Sequence, residues 1–75
     1  MAVSPQRPRI PRRRFREGTR AIEHGDLRGG IQILARLAAE QPDNVAVAIN
    51  LGAAYFTVGD YAAAAAQFER ARQYG

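Results

Sequence analysis

From about residue 15 to the end of the chain, apolar side chains return every three or four positions, the spacing of one face of an α-helix. The clearest stretch begins after the breaker Pro42-Asp43-Asn44, where Asn44 is suited to accept a first-turn N–H as an N-cap. Ala48, Leu51, Gly52, Tyr55 and Phe56 then share a helical face. Gly59 can end that helix in a left-handed turn, and Asp60 can cap the next. Tyr61, Ala64, Ala65, Phe68 and Ala71 form the apolar face of that last helix, within a run of strong helix formers. The first half repeats the plan less cleanly. Pro11 suits a first helical turn, and Phe15, Gly18, Ala21 and Ile22 give a thin apolar face. Gly25 breaks the helix and Asp26 caps its successor. Leu27, Ile31, Leu34 and Ala38 follow on one stripe, widened by Ile33 and Leu37. Gly29-Gly30 near the start of that helix costs roughly 1 kcal/mol per glycine relative to alanine, which implies a close helix approach.

The two halves superimpose at an offset of 34 residues. Gly18 falls on Gly52, Gly25-Asp26 on Gly59-Asp60, Leu27 on Tyr61 and Gly30 on Ala64. Ile22 meets Phe56, Leu34 meets Phe68 and Arg36 meets Arg70. Small residues match small ones and large apolar residues match large apolar ones. The expectation is an all-α fold of two helical hairpins, with units at about 11–43 and 44–75. Residues 1–11 hold three prolines and no apolar period, and read as a flexible basic arm before a repeat domain at 12–75.

Composition narrows the chemistry. A chain of 75 residues is one small domain at most, with a marginal core. It has no cysteine, so neither a disulfide framework nor a thiolate zinc site can support it. One histidine and seven carboxylates leave little material for a metal cage or a nucleophile–base pair, and no catalytic residue, metal or cofactor is assigned. His24, before Gly25, suits a helix C-terminus, where an imidazolium favours the negative end. Tyr55 and Tyr61 at helical spacing read as core. No apolar stretch of 18 residues is present, so no membrane span is expected. Arg12-Arg13-Arg14 lacks the apolar stretch that a twin-arginine signal needs, and the expected compartment is the cytoplasm. All eleven basic residues are arginine, a bias that a GC-rich coding sequence produces. Charge is uneven: residues 1–20 carry seven Arg and one Glu (+6), and residues 21–75 carry four Arg and six acids (−2).

The residues quoted above carry a resemblance. Leu51-Gly52, Tyr55, Gly59-Asp60-Tyr61, Ala64, Phe68 and Ala71 in the second unit resemble the tetratricopeptide repeat pattern. So do Gly18, Gly25-Asp26-Leu27, Gly30, Leu34 and Pro42 in the first. The first unit departs from the pattern: Arg14, Glu17 and Ala21 stand where the family favours Trp, Leu and Tyr, and Leu37 replaces a late small residue. In the second unit Ala48 stands at the Trp position. The resemblance implies antiparallel hairpins stacked as a short right-handed solenoid. It also implies a groove, lined by the first helix of each unit, that takes a partner's peptide or helix. That surface carries Arg12, Phe15, Arg16, Thr19, Ile22 and Glu23 from unit one, and Ile49, Asn50, Ala53, Phe56 and Thr57 from unit two. A subset of the family clamps a peptide's C-terminal carboxylate with Lys and Asn. Asn50 sits at one such Asn position, but Phe15 and Thr19 replace a Lys and an Asn, so no clamp is expected.

The expected function is thus a protein–protein interaction module centred on Phe15, Ile22, Ile49 and Phe56, with Asn50 and Arg16 orienting the partner. Tyr61, Ala65, Phe68 and Tyr74 on the last helix have no following helix to cover them, and are expected to drive self-association into a homo-oligomer. A different reading assigns the arginines Arg12, Arg13 and Arg14 to nucleic acid or an acidic surface, the repeats serving only to oligomerise. Neither a recognition-helix signature nor a base-stacking aromatic array accompanies those arginines.

Overall fold

The computed structural model describes residues 12–75, which form four α-helices and, among the described residues, no strand. They are α1 (Arg12–Glu23), α2 (Leu27–Glu40), α3 (Val45–Thr57) and α4 (Tyr61–Tyr74). The 1–11 arm and the role of Pro11 lie outside the described residues. Consecutive helices pack against one another as α1·α2, α2·α3 and α3·α4, with a lighter contact between α1 and α3. The fold is therefore all-α, two helical hairpins side by side.

Both hairpins turn on the same device. Gly25 and Gly59 take φ of +92° and +87°, a region where a Cβ is strained. At the first corner the N–H of Gly25 donates to Ile22 and that of Asp26 to Ala21. At the second, Gly59 donates to Phe56 and Asp60 to Tyr55. These bonds satisfy the last carbonyls of α1 and α3 in the same pattern, a left-handed helix cap with glycine at its centre. Each aspartate then starts the next helix: Asp26 accepts from the N–H of Gly29 and Asp60 from that of Ala63. The 34-residue repetition of the sequence is thus a repetition of hydrogen bonds. The link between hairpins is different. Pro42 and Asp43 intervene, and Asn44 caps α3 by accepting from the N–H of Val47 while its amide donates to the Gln41 side chain.

The core sits at the α2–α3 seam. Leu34, Leu37, Ala38, Val47 and Leu51 form it, with Leu34 and Leu37 fully shielded from water. Phe15, Ile22, Ile31, Ala35 and Tyr55 pack around them, half-buried. Glycine sets the spacing within hairpins. A Cβ on Gly30 would meet the Ile22 side chain and lie 2.7 Å from the Gly18 carbonyl, so α1 and α2 touch there backbone to backbone. A Cβ on Gly52 would lie 2.7 Å from the Phe68 ring, which rests on that glycine. Gly29 is constrained otherwise: its Cβ would collide with the side chain of its own cap, Asp26.

Candidate interaction groove

Two hairpins laid side by side bring their first helices, α1 and α3, onto a common face and run them in the same direction. In the register of the two corners, Thr19 and Glu23 of α1 stand beside Ala53 and Thr57 of α3. There the structure has a cleft of about 150 Å³ lined by Thr19, Ile22, Glu23, Asn50, Ala53, Ala54 and Thr57.

Three polar side chains of this cleft donate to carbonyls of their own helices. The hydroxyl of Thr19 donates to the Arg16 carbonyl and that of Thr57 to the Ala53 carbonyl. The Asn50 amide donates to the Ala46 carbonyl at 2.8 Å. Besides the second Asn50 amide N–H, what remains is acceptor capacity: two hydroxyl oxygens, the Asn50 Oδ1 and the Glu23 carboxylate. α3 carries no charged residue along its length. Its exposed apolar positions Ile49, Ala53 and Phe56 recur at four and three residues, a row beside the cleft. At the end of the row Phe56 is 59 % exposed, and its ring meets that of Tyr61 edge to face with centroids 5.1 Å apart.

The expected groove residues are therefore not equivalent. Thr19, Ile22, Asn50 and Ala53 meet at the cleft, and Ile49 and Phe56 flank it. Phe15 is half-buried against the Leu34 cluster, with part of its ring spent on the core. Arg16 lies with Arg13, Glu17 and Arg20 around a separate recess on α1. Arg12 and Arg13 are exposed, whereas Arg14 turns back over α2 and pairs with Glu40. Ala54, Val58 and the Phe56–Tyr61 pair were not part of the expectation. Val58 is exposed at the same end as the aromatic pair.

On α4, Tyr61, Ala65, Phe68 and Tyr74 are all exposed, Tyr61 with its ring against Phe56 and Phe68 with its ring on Gly52. Their counterparts in α2 at the 34-residue offset are Leu27, Ile31, Leu34 and Glu40: Leu34 is buried in the core with Ile31 packed against it, Leu27 is half-buried and Glu40 is exposed. Among the described residues no group of three or more potential metal ligands occurs, and no helix is long and apolar enough to cross a membrane.

Paired antiparallel helices, joined by equivalent corners and stacked so that alternate helices share a face, define a helical-hairpin repeat protein. A family model for the tetratricopeptide repeat matches residues 21–75, and the chain belongs to that family. No curated protein and no solved structure matches the chain. Repeats of this family generally mediate protein–protein interaction and are non-catalytic modules.

Proposed function

We propose that this chain captures a segment of a partner protein, an extended peptide or a helix, in the groove between α1 and α3. The observation that carries the reading is the exposed row Ile49, Ala53 and Phe56 on an uncharged helix, beside a cleft whose polar groups offer free acceptors. Apolar anchors at such a centre give affinity, and the acceptors fix orientation. Ile22, Ile49 and Phe56 are the anchors; Phe15 supports them from beneath. Thr19, Asn50 and Arg16 orient the partner. The test is affinity capture with wild-type and Phe56→Glu baits in parallel. Phe56 is solvent-exposed, so the variant keeps its helicity while capture is lost. Unchanged capture by Phe56→Glu removes the groove from the account.

A second reading concerns the outer face of α4. Tyr61, Ala65, Phe68 and Tyr74 are exposed on α4, and Ala65 and Phe68 stand at the positions of Ile31 and Leu34, which on α2 pack into the core with α3. Large apolar groups left open in this way favour association, here with another copy of the chain. Sedimentation at micromolar concentration tests it: wild type sediments as an oligomer and Phe68→Glu as a smaller species. A strictly monomeric wild type overturns it.

A further inference from the structure

The first helices of the two hairpins differ at the positions that pack one hairpin on another. At the 34-residue offset, Arg13, Arg14, Glu17 and Arg20 of α1 correspond to Val47, Ala48, Leu51 and Ala54 of α3. Those four residues of α3 are all buried, Val47 and Leu51 in the core cluster with Leu34, Leu37 and Ala38 of α2. The face that seats the second hairpin on the first is therefore, on the first hairpin, a charged end of the stack. A further hairpin seated there in the same way would strip water from guanidinium groups without supplying a counter-charge.

One sign dominates that end. Arg13, Arg16 and Arg20 are exposed and surround a recess of about 430 Å³, in which Glu17 is the single carboxylate. None of the three arginines forms an ion pair among the described residues. Glu17 also lines an adjoining recess of about 220 Å³, where Arg36 of α2 stands exposed beside Arg14, Gln32 and Ile33. Arg14 is held by Glu40, which leaves Arg13, Arg16, Arg20 and Arg36 without a hydrogen-bonded carboxylate. Arg16 and Arg20 are four residues apart on one helix, where like charges repel, and Arg13 stands in a first turn that holds no acid, at the positive end of the helix dipole. A polar end cap needs only charges of mixed sign. This end instead gathers cations at a local electrostatic cost.

We propose that this end face binds the phosphate backbone of a nucleic-acid duplex, without regard to sequence. Charge complementarity carries the proposal: guanidinium groups pair with phosphate oxygens through two parallel hydrogen bonds, and cations clustered on one face are the footprint of such binding. The spacing agrees. Arg13 and Arg20 lie seven residues apart, about 10 Å along α1, and one strand of a duplex advances about 3.4 Å per phosphate. Arg36 adds a second row on α2, at a helix spacing of about 8–10 Å. An acidic protein segment fits less well. The recess of the three arginines has no apolar residue to anchor a side chain, and Ile33 in the adjoining one is half-buried. A single strand also fits less well, because neither recess is lined by an aromatic ring on which bases could stack. The site shares no lining residue with the α1–α3 cleft and stands independently of the groove reading.

The test uses the full chain and two fluorescein-labelled DNA duplexes of unrelated sequence, each of about twenty base pairs, titrated by anisotropy between about 20 and 200 mM salt. Expected are equal affinities for the two duplexes and a slope of log K against log salt of about −3 to −4, from about 0.9 for each of the four cations. Arg13→Gln/Arg20→Gln reduces the slope by about two, and Phe56→Glu leaves it unchanged. Arg20→Gln and Arg72→Gln remove the same charge, one from this face and one from α4. Only Arg20→Gln changes the slope, by about one. All these side chains are exposed, so the circular dichroism of each variant stays that of wild type. Equal effects of Arg20→Gln and Arg72→Gln reduce the binding to net charge and overturn the site. A slope that survives Arg13→Gln/Arg20→Gln, or no binding at the lowest salt, also overturns it. An oligo-glutamate peptide bound more tightly than either duplex overturns the choice of nucleic acid in favour of an acidic protein segment.

Discussion

The guanidinium of Arg14 holds the carboxylate of Glu40 through two hydrogen bonds of 3.0 and 3.1 Å, tying the first turn of α1 to the last residue of α2. A carboxylate at a helix C-terminus faces the negative end of the helix, so the arginine answers a local electrostatic cost. The Arg14 hydrogen bond, and after it the charges of Arg14 and Arg36, outweigh desolvation and hold the Glu40 carboxyl below its usual range. A group whose folded-state pKa is lowered stabilises the fold above its unfolded value and loses that contribution as pH falls through the folded one. Arg14→Gln is therefore less stable than wild type at neutral pH. The gap closes as pH drops below the ordinary glutamate value of about 4.3, and it also narrows in high salt. Urea midpoints of the two proteins between pH 7 and pH 2.5 check this; a gap independent of pH contradicts it.

Two glycines in the hairpins have different neighbours, and their alanine variants differ accordingly. At Gly30 the added Cβ runs into the Gly18 carbonyl, which cannot move without parting α1 from α2. At Gly52 it meets the half-exposed ring of Phe68, which can tilt outward. Gly30→Ala is expected to cost about 1–3 kcal/mol despite its better helix propensity, and Gly52→Ala less than about 1 kcal/mol. Thermal denaturation followed by circular dichroism gives the ranking, and the reverse order contradicts the close contact at Gly18.

The matching corners predict matching costs. Nothing lies within 4 Å of a Cβ built on Gly25 or Gly59, so an alanine there meets only the backbone penalty of a positive φ, about 1–2 kcal/mol. Asp26→Ala and Asp60→Ala each remove one N-cap bond, for about 1 kcal/mol. Denaturation midpoints that agree within each pair support structural equivalence of the corners; one costly and one silent corner contradicts it.

Leu34 is fully shielded at the seam between hairpins. Leu34→Ala is expected to cost about 2–5 kcal/mol, a large share of what a domain of this size holds. Loss of the cooperative thermal transition, or a large fall in its midpoint, is the expected readout. A shift of only a degree or two contradicts a core centred on α2 and α3.

The corners are legible in the sequence because a left-handed cap needs glycine and an N-cap needs a short acceptor side chain, and Gly-Asp supplies both at a fixed interval. The buried stripe of α2 is legible for a similar reason: periodicity names a face. It does not name what covers the face. Leu34 and Phe68 are equivalent in sequence, yet one is enclosed and the other half-exposed, because α3 packs over α2 and no described helix packs over α4 in that way. Phe15 reads as a groove residue from its position, but α1 has few other large apolar side chains to give the core, so its ring is shared. The Arg14–Glu40 pair joins residues 26 apart, and the Phe56–Tyr61 contact crosses a corner. Both depend on helix register, which no local pattern carries.

The central claim is that recognition happens on the α1–α3 face. It is tested most directly by nitrogen-15 amide spectra of the full chain, titrated with the bound segment of the partner recovered by affinity capture. The account predicts shifts that cluster at Arg16, Thr19, Ile22, Ile49, Asn50, Ala53 and Phe56, with α4 beyond Tyr61 undisturbed. Shifts confined to Phe68, Tyr74 and their neighbours on α4, with the α1–α3 face silent, would contradict it.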